Sequence, residues 1–362
     1  MGEIKVELGE RSYSVYVQKG ILKHIAEDIL STFQPTSVCI VTDTNLSKIY
    51  LSSVQEDFTR LNVPVCSFVI EAGEASKNFS ILETLCTFLI EQKMDRNGML
   101  VALGGGVVGD LTGFAASIYK RGIAYVQVPT SVVAQTDSAI GGKTGVDFGG
   151  SKNMLGTIYQ PKAVYVDPGV LQTLPAKYLS DGLGEVVKYA ILAGGELFER
   201  VLSLQSPEAL LLDDGFIVEN CIAYKKHLVE KDERDTGDRM LLNLGHTVGH
   251  ALESYYGYCR YSHGEGVAVG LIAIMKYAAS FYHLDEEVQR SVTRLLQRLN
   301  LPIALPESNE RVFSSIVQDK KCTGSYVRVV VPFSPGDVRV ISVRTNEFID
   351  FLCTALNEKG VL

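Results

Sequence analysis

The chain has 362 residues, a net charge of −8, 46% apolar residues and 21% charged residues. Disorder needs few apolar residues and a high net charge, so this composition predicts a folded protein, long enough for two domains. The acidic balance argues against a nucleic-acid partner, because a phosphate backbone attracts an excess of Lys and Arg. A small anion needs only a local basic cluster and is compatible with the charge.

Short β-branched runs alternate with amphipathic helical stretches through residues 1–175. This alternation predicts a Rossmann-like α/β domain with a mainly parallel sheet. The predicted strands are 38–43, 63–70, 98–103, 124–129 and 163–167. The predicted helices are 45–60, 78–93 and 107–117. The opening runs IKVEL and YSVYVQ predict a hairpin added at an edge of the sheet.

Longer helical patterns follow over residues 176–362, which we interpret as a mainly helical second domain. The stretch 264–283 is apolar nearly all round, as is typical of a helix buried inside its domain. The charged run EKDERDTGDR is typical of a solvated turn, with Arg239 as an exception. The runs YVRVVVP and DVRVISV predict a hairpin. The predicted helices are 177–192, 207–234, 246–256, 264–283 and 286–299.

The cysteines and the least polar stretches indicate the compartment. Seven scattered cysteines with no CxxC pair disfavour a disulfide framework and predict a reducing environment. The opening MGEIKVELGERSYSVYV lacks an apolar signal core. The glycine-rich stretch 98–118 contains Asp110 and predicts a buried strand–turn–helix and not a membrane span. We therefore expect a cytoplasmic protein with no membrane partner.

A glycine-rich turn lies in the first domain, where LGGGVVGD follows a predicted strand and opens a helix. Its glycines fit GxGxxG, a pattern that brings a pyrophosphate close to the backbone and to a helix N-terminus. The turn departs from the usual fingerprint, because it follows about the fourth strand and no acidic residue comes ~20 residues later. Asp110 and Asp43 are candidates for a ribose or amide contact. The alternatives are dinucleotide binding in a variant geometry and a tight turn without a ligand.

A second glycine-rich segment contains Lys143 and Lys152 among six glycines between Gly141 and Gly156. Such a segment predicts a loop that wraps around an oxyanion while its two ammonium groups neutralise it. The alternative is a long surface loop with ordinary lysines, although loops of this length are usually functional. Asp137 stands nearby among small residues, where it would hold a lysine or a substrate hydroxyl.

Three of the six histidines fall within one short region of the second domain, His246, His250 and His263. His246 and His250 are four residues apart and so share one face of a helix. Glu185 and Lys188, three apart, share a side of the 177–192 helix. Histidine nitrogens and a carboxylate oxygen are the ligands of an open catalytic Zn²⁺ site, which predicts a metal that polarises an alcohol.

The alternative for any single histidine is an interior imidazole that is hydrogen-bonded. His24, His227 and His283 have no such neighbours in the sequence and are interpreted as structural. Thr247 stands where the zincin motif has its glutamate, so peptide hydrolysis is disfavoured. Asn243 and Arg239 would continue the histidine stripe only if the helix began early, which the intervening glycine leaves open.

The sequence resembles the 3-dehydroquinate synthase family of sugar-phosphate cyclases over most of its length, from Asp43 to Lys321. The runs that carry the resemblance are EAGEASK, ALGGGVVGDLTGFAASIYKRG, VPTSVVAQTDSAIGGKTGVD, SKNMLGTIYQP, GLGEVVKY, DERDTGDRMLLNLGHTVGHALE, HGEGVAVG and DKK. The resemblance implies an NAD-binding domain, a metal- and substrate-binding domain and an active site in the cleft between them.

The resemblance implies a lyase of the shikimate pathway, and so of aromatic amino acid biosynthesis. The small phosphorylated keto acid DAHP (3-deoxy-D-arabino-heptulosonate 7-phosphate) is converted to 3-dehydroquinate and phosphate. NAD⁺ oxidises a ring hydroxyl, the new ketone acidifies the adjacent C–H, phosphate leaves, the hydride returns, and the ring opens and closes as a carbocycle. Catalytic NAD⁺ and a divalent metal, Zn²⁺ or Co²⁺, are the implied cofactors. A homodimer is implied as well.

The resemblance also assigns the site residues. The implied metal ligands are Glu185, His246 and His263. The implied catalytic residues are Asp137, Lys143, Lys188 and His250, the last near the leaving phosphate. The implied substrate-binding residues are Arg121 (reaching across a subunit boundary), Lys152, Asn153, Lys225, Arg239, Asn243 and Lys320 or Lys321. The implied NAD-binding residues are Asp43, Glu74, Lys77, Gly106, Asp110, Thr130, Ser131, Lys143, Lys152 and Thr173.

Three alternatives remain at this point. One is another sugar-phosphate cyclase with the same metal and NAD chemistry. A second is a metal-dependent polyol dehydrogenase of similar build. A third is a non-catalytic anion-binding protein, which would leave the Glu and His cluster unexplained. The lysine and arginine candidates favour a substrate with phosphate and carboxylate groups, because charge-assisted contacts to such anions are strong.

Overall fold

The computed structural model describes residues 2–257, 259–304, 312, 313, 316, 322, 323 and 325–355. The chain forms two compact units. The first consists of Met1–Leu174 together with Lys225–Arg234. The second consists of Pro175–Tyr224 together with Asp235–Leu362. Residues 225–234, predicted as part of the helical domain, belong instead to the α/β unit.

The first unit is built on a sheet whose strands are mostly parallel. Its strands are β1 (Gly2–Val6), β2 (Tyr13–Val17), β3 (Val38–Asp43), β4 (Val65–Ile70), β5 (Met99–Gly104), β6 (Ala124–Pro129), β7 (Lys143–Phe148), β8 (Ser151–Ile158) and β9 (Ala163–Val166). Seven of them form one sheet in the order β1-β2-β9-β6-β5-β3-β4. The predicted edge hairpin is confirmed, because β1 pairs antiparallel with β2 and the other neighbours pair in parallel.

Helices cover both faces of this sheet, which explains why its central strands are apolar throughout. They are α1 (Ile25–Phe33), α2 (Ser52–Arg60), α3 (Phe79–Glu91) and α4 (Gly106–Ile118). Cys39 and Val41 of β3 face the core layer that includes α3 and α4, whereas Val38 and Ile40 face the layer that includes α1 and α2. The predicted α/β architecture is confirmed.

The glycine-rich segment with Lys143 and Lys152 is not the predicted loop. It forms an antiparallel two-stranded ribbon of β7 and β8, and the chain turns at Gly149 and Gly150, both with positive φ. A methyl group on Gly156 would lie 2.1 Å from the carbonyl oxygen of Thr144. Glycine is therefore needed for close pairing of the two strands, and the loop prediction was wrong because the glycines hid the strand pattern.

The second unit is mainly helical, as predicted. Its elements are α5 (Ala176–Ala193), α6 (Gly195–Leu202), α7 (Phe216–Lys231, whose last seven residues belong to the first unit), α8 (His246–Tyr255), α9 (His263–Tyr282), α10 (Glu286–Arg298), β10 (Cys322–Thr323), β11 (Tyr326–Ser334), β12 (Asp337–Arg344) and α11 (Thr345–Ala355). The predicted late hairpin is confirmed as β11 and β12. The single helix predicted over 207–234 is instead a 3₁₀ turn, Pro207–Leu212, followed by α7. The helical pattern is interrupted where the side chains of Asp213 and Asp214 accept hydrogen bonds from the backbone amides of residues 215–217.

Helix α9 is the central element of the second unit. It packs against α5, α8, α10, α11 and β11. Within the described residues, it alone is long and apolar enough to span a membrane, and 72% of that stretch is buried inside the protein. Burial on this scale identifies α9 as the predicted core helix.

Candidate active site

Glu185, His246 and His263 come together in the second unit. His246 and His263 are the first residues of α8 and α9, and Glu185 lies in the middle of α5. Glu185 Oε1 lies 3.1 Å from His246 Nε2 and 2.8 Å from His263 Nε2. One ligand atom from each of the three residues lies within 4.8 Å of the other two. The predicted grouping of these side chains is therefore present.

Glycines beside these residues allow the backbones to approach closely. A methyl group on Gly184, next to Glu185, would lie 2.6 Å from the carbonyl oxygen of Gly264, next to His263. A methyl group on Gly270 would lie 1.9 Å from the carbonyl oxygen of Gly245, which precedes His246. No side chain fits at such distances, so glycine sets how near the three elements come.

Hydrogen bonds orient both imidazole rings. His246 Nδ1 lies 3.0 Å from the carbonyl oxygen of Leu244, and His263 Nδ1 lies 2.8 Å from Glu253 Oε1. Each ring therefore directs Nε2 toward Glu185. Metal-binding histidines typically have such a partner on their other nitrogen. Sequence reasoning missed Glu253, because its position seven residues after His246 places it on the same helix face but does not indicate that it is buried against His263.

The charges around Glu185 decide which protonation states are present. Burial acts to raise the pKa of Glu185, but Lys188, which pairs with its other oxygen, and His246 hold that pKa well below its ordinary value. Burial lowers the pKa of His246. Burial also acts to lower the pKa of His263, but hydrogen bonds with Glu185 and Glu253 raise it to about 10.

Two of these three protonation states fit a metal directly. Glu185 is an anion and His246 is neutral, the forms that bind a cation, whereas His263 must release a proton to bind one. Two imidazole nitrogens and one carboxylate oxygen are a donor set that suits Zn²⁺ and related divalent ions, with room for a further ligand.

His250 lies on α8 one turn after His246 but is exposed and outside the three-residue group. Its ring centre is 5.3 Å from that of His246 and 6.3 Å from that of His263. This position beside the group agrees with the implied substrate-side role, which remains a prediction.

Arg239 and Asn243 do not continue the histidine stripe. They lie in a separate 3₁₀ helix, Asp238–Asn243, and α8 begins only after Gly245, whose φ is +79°. Arg239 is nonetheless buried, with 2% of its surface exposed, and Asn243 donates to the carbonyl oxygen of Met240.

The glycine-rich turn of the first unit joins β5 to α4. A methyl group on Gly104 would lie 2.5 Å from Val108 Cβ, and one on Gly109 would lie 2.6 Å from Gln127 Oε1. The first contact requires glycine for the tight turn and the second requires it for close packing of helix on strand. These are two of the roles that glycines have in dinucleotide-binding turns.

Lys77, Asp110 and Asn153 form one cluster in the first unit. Lys77 Nζ lies 2.5 Å from Asp110 Oδ2 and 2.5 Å from Asn153 Oδ1. Burial acts to lower the pKa of Lys77, but Asp110 raises it above its ordinary value. The resemblance assigned Lys77 and Asp110 to NAD and Asn153 to phosphate, and the structure brings all three together.

Lys225 and Asp137 form a second pair in the first unit. Lys225 Nζ donates to the carbonyl oxygen of Asp137 at 2.6 Å and also to its carboxylate. Lys225 is buried, with 5% of its surface exposed. Of the two partners predicted for Asp137, a lysine or a substrate hydroxyl, the structure provides the lysine.

The other predicted residues of the first unit are more dispersed. The Asp43 carboxylate accepts from a backbone amide in the turn after β3, and the Ser131 hydroxyl accepts from the Ala134 amide. The hydroxyls of Thr173 and Tyr50 share a hydrogen bond. Lys152 Nζ lies 3.9 Å from Glu74 Oε1. Gly106 opens α4, Thr130 is buried at the end of β6, and Arg121 and Lys143 are exposed. Lys320 and Lys321 lie outside the described residues.

Comparisons with known proteins agree with this architecture. Residues 67–181 match the model of the 3-dehydroquinate synthase N-terminal domain, and residues 182–322 match that of the C-terminal domain. A 3-dehydroquinate synthase of Clostridium acetobutylicum is 38% identical over 97% of this chain and 99% of its own length. One of Enterococcus faecalis is 38% identical over 97% of this chain and 98% of its own.

Solved structures share the fold. One is 2-deoxy-scyllo-inosose synthase complexed with carbaglucose-6-phosphate, NAD⁺ and Co²⁺, with TM-score 0.85, 24% identity and coverage of 97% of this chain and 99% of that one. Another is 2-epi-5-epi-valiolone synthase from Streptomyces hygroscopicus with NAD⁺ and Zn²⁺ bound, with TM-score 0.83, 25% identity and coverage of 96% and 98%. A probable glycerol dehydrogenase from Sinorhizobium meliloti follows, with TM-score 0.64, 17% identity and coverage of 94% and 95%.

The fold is thus one that sugar-phosphate cyclases share with polyol dehydrogenases. The sequence matches, which span most of the chain, separate these classes: the chain belongs to the 3-dehydroquinate synthase family. It is accordingly an enzyme, of the lyase class.

Proposed function

We propose that the chain converts DAHP to 3-dehydroquinate and phosphate in the shikimate pathway, with catalytic NAD⁺ and a divalent metal. The observation that carries the proposal is the buried group of Glu185, His246 and His263 in a chain of this family. A polyol dehydrogenase is disfavoured, because the glycerol dehydrogenase shares only the fold, at 17% identity.

Glu185, His246 and His263 would hold the metal. When bound, the metal supplies a Lewis acid for a substrate hydroxyl, and NAD⁺ supplies a hydride acceptor that is regenerated. Lys188 keeps Glu185 ionised through their buried ion pair. His250, which is exposed beside this group, would exchange a proton or bond the leaving phosphate.

Cationic side chains would bind the substrate's two anionic groups. Arg121, Lys152 and a lysine of the DKK run would bind phosphate, together with Asn153. Lys225, Arg239 and Asn243 would bind the carboxylate and hydroxyls, with Asp137 and Lys143 beside them. The NAD contacts assigned by the resemblance, including Gly106 and Asp110 of the glycine-rich turn, are part of the same proposal.

A homodimer and a cytoplasmic location complete the proposal. The β7–β8 ribbon exposes Phe148, Met154 and Ile158, each with more than two-fifths of its surface exposed, and Phe148 packs edge-on against exposed Phe79. Exposed apolar groups of this kind are typical of surfaces that a second copy covers. The cysteines at 39, 66, 86, 221, 259 and 353 are free thiols, the form that a reducing compartment maintains.

One assay tests the activity. Protein, Zn²⁺ or Co²⁺, a trace of NAD⁺ and DAHP are incubated, and released phosphate and 3-dehydroquinate are measured. We expect many turnovers per NAD⁺ and no net NADH. No product from DAHP, with NADH accumulating steadily on glycerol, would establish a dehydrogenase instead. Phosphate release from another sugar phosphate alone would establish a different cyclase.

A further inference from the structure

The carboxylate of Glu253 is the partner of the His263 ring. Glu253 lies on α8, seven residues after His246, so both side chains project from one face of the helix. Its Oε1 lies 2.8 Å from His263 Nδ1, and only 3% of the residue surface is exposed. A buried carboxylate costs folding free energy unless hydrogen bonds or a charge partner compensate for it.

The backbone at His263 is fixed separately from the ring. Asp181 Oδ1 accepts from the Gly264 amide at 2.7 Å and from the Ser262 hydroxyl at 2.5 Å. Ser262 and Glu265 form a capping box at the same helix end. The start of α9 is therefore held without Glu253, and the contact from Glu253 acts on the ring itself.

The two imidazoles differ in how they are oriented. The partner of His246 Nδ1 is a main-chain carbonyl oxygen, that of Leu244, which substitution of a side chain leaves in place. The partner of His263 Nδ1 is a side chain, so its contribution can be removed by mutation. A carboxylate on Nδ1 fixes the proton there, leaves Nε2 as the metal donor and increases its basicity.

We propose that Glu253 is a positioning residue that fixes the tautomer and the ring orientation of His263 and so presents Nε2 to the metal. The inference rests on the proposed function, because it takes His263 to be a ligand. Glu253 touches neither substrate nor cofactor in this role. It acts through His263, so its removal should first be visible in metal binding.

The experiment measures the Zn²⁺ Kd of Glu253→Ala and Glu253→Gln by competition with a chromophoric chelator. We expect Kd to rise about 100-fold in Glu253→Ala and about tenfold in Glu253→Gln, which keeps an acceptor but loses the charge. The Co²⁺-substituted proteins should show a changed visible absorption spectrum, since the ligand field depends on the ring. Glu265→Gln is the matched control: it removes a carboxylate two residues from His263 and should leave Kd and spectrum unchanged.

Further measurements separate the possible failures. A Glu253→Ala protein with a lowered melting temperature but wild-type Kd and Co²⁺ spectrum would show a structural role and overturn the inference. Should Glu253→Ala not fold, the same readouts on isosteric Glu253→Gln decide. His263→Ala tests the underlying site: if it retains Zn²⁺, the metal assignment fails, whereas if it loses Zn²⁺ while both Glu253 variants bind normally, only this inference fails.

Discussion

The two units hold their functional residues in place in different ways. In the helical unit, Glu185 and His246 are buried, and glycines in contact with neighbouring backbone set their separation. In the α/β unit, Lys77 and Lys225 are buried, and each is held by an ion pair, Lys77 with Asp110 and Lys225 with Asp137. The metal group therefore depends on backbone packing, and the predicted nucleotide and anion groups depend on side-chain charge pairs. Different substitutions should damage the two.

The largest effect should come from removing a ligand in the helical unit. In His246→Ala only two protein ligands remain, and two hold Zn²⁺ poorly. We expect the metal to be lost on dialysis and kcat to fall about a thousandfold, because Lewis-acid stabilisation is worth several kcal/mol. Metal content and phosphate release are measured together. The control is His227→Ala, an exposed histidine on α7; retention of metal by His246→Ala would contradict the assignment.

Gly270→Ala tests whether backbone packing sets the metal group. Its methyl group would lie 1.9 Å from the carbonyl oxygen of Gly245, so α8 and α9 must separate. We expect a loss of about 3 kcal/mol in the free energy of unfolding, measured with urea, and weaker Zn²⁺ binding. Gly266→Ala on the same helix is the control, since its nearest atom lies at 3.3 Å. If Gly270→Ala and Gly266→Ala reduced stability and Zn²⁺ binding equally, the close approach of α8 to α9 at Gly270 would not be the reason for glycine there.

Lys77→Met tests the charge pairing in the α/β unit. The substitution leaves the Asp110 carboxylate without the Lys77 ammonium group. We expect the free energy of unfolding to fall by about 2 kcal/mol. Breaking a fully buried pair costs roughly 3–5 kcal/mol, and the loss is smaller here because Asp110 keeps some solvent contact. NAD⁺ affinity should fall while Zn²⁺ affinity stays unchanged. Adding Asp110→Asn should restore part of the stability. Lys48→Met, at an exposed lysine, is the control, and a Zn²⁺ site weakened by Lys77→Met would break the comparison.

The smallest effect concerns the pair that holds the 225–234 segment to the α/β unit. Arg11 donates two hydrogen bonds to Glu233 and lowers the pKa of that carboxyl. A lowered folded-state pKa stabilises the protein above the unfolded value and ceases to do so as the pH falls through the folded value. Arg11→Ala should therefore lower the melting temperature slightly at pH 7 and by less at pH 3, which lies below the ordinary pKa of a glutamate. The same decrease at both pH values would exclude this linkage.

Much of the fold could be predicted because its signals are local. Continuous apolar runs predicted β3 and β5, and an apolar pattern on every face predicted α9. The metal group was also predictable in membership, but only through the family resemblance, because four-residue spacing places His246 and His250 on one helix face and does not by itself exclude His250 as a ligand. Its geometry was not, because the approach of α5 to α9 depends on glycine contacts between segments about 80 residues apart, as the His263–Glu185 contact shows.

Other features depend on distant partners and left no local signal. The contacts that join residues 225–234 to the α/β unit, Lys225 with Asp137 and Arg11 with Glu233, link positions 88 and 222 residues apart. A glutamate in a helix normally faces solvent, so Glu253 gave no indication of burial. In the β7–β8 ribbon, glycines replaced the β-branched residues that mark strands, and a hairpin was interpreted as a loop.

The course of α7 matters for how the protein is made. Residues 1–174 leave the ribosome well before Lys225 and Glu233, so the nascent α/β unit lacks the partners of Asp137 and Arg11 for the time needed to add some fifty more residues. Cleavage of one peptide bond cannot release the complete α/β unit, because its residues 225–234 follow the start of the helical unit in the sequence. Completion of the N-terminal half is therefore tied to synthesis of the C-terminal half.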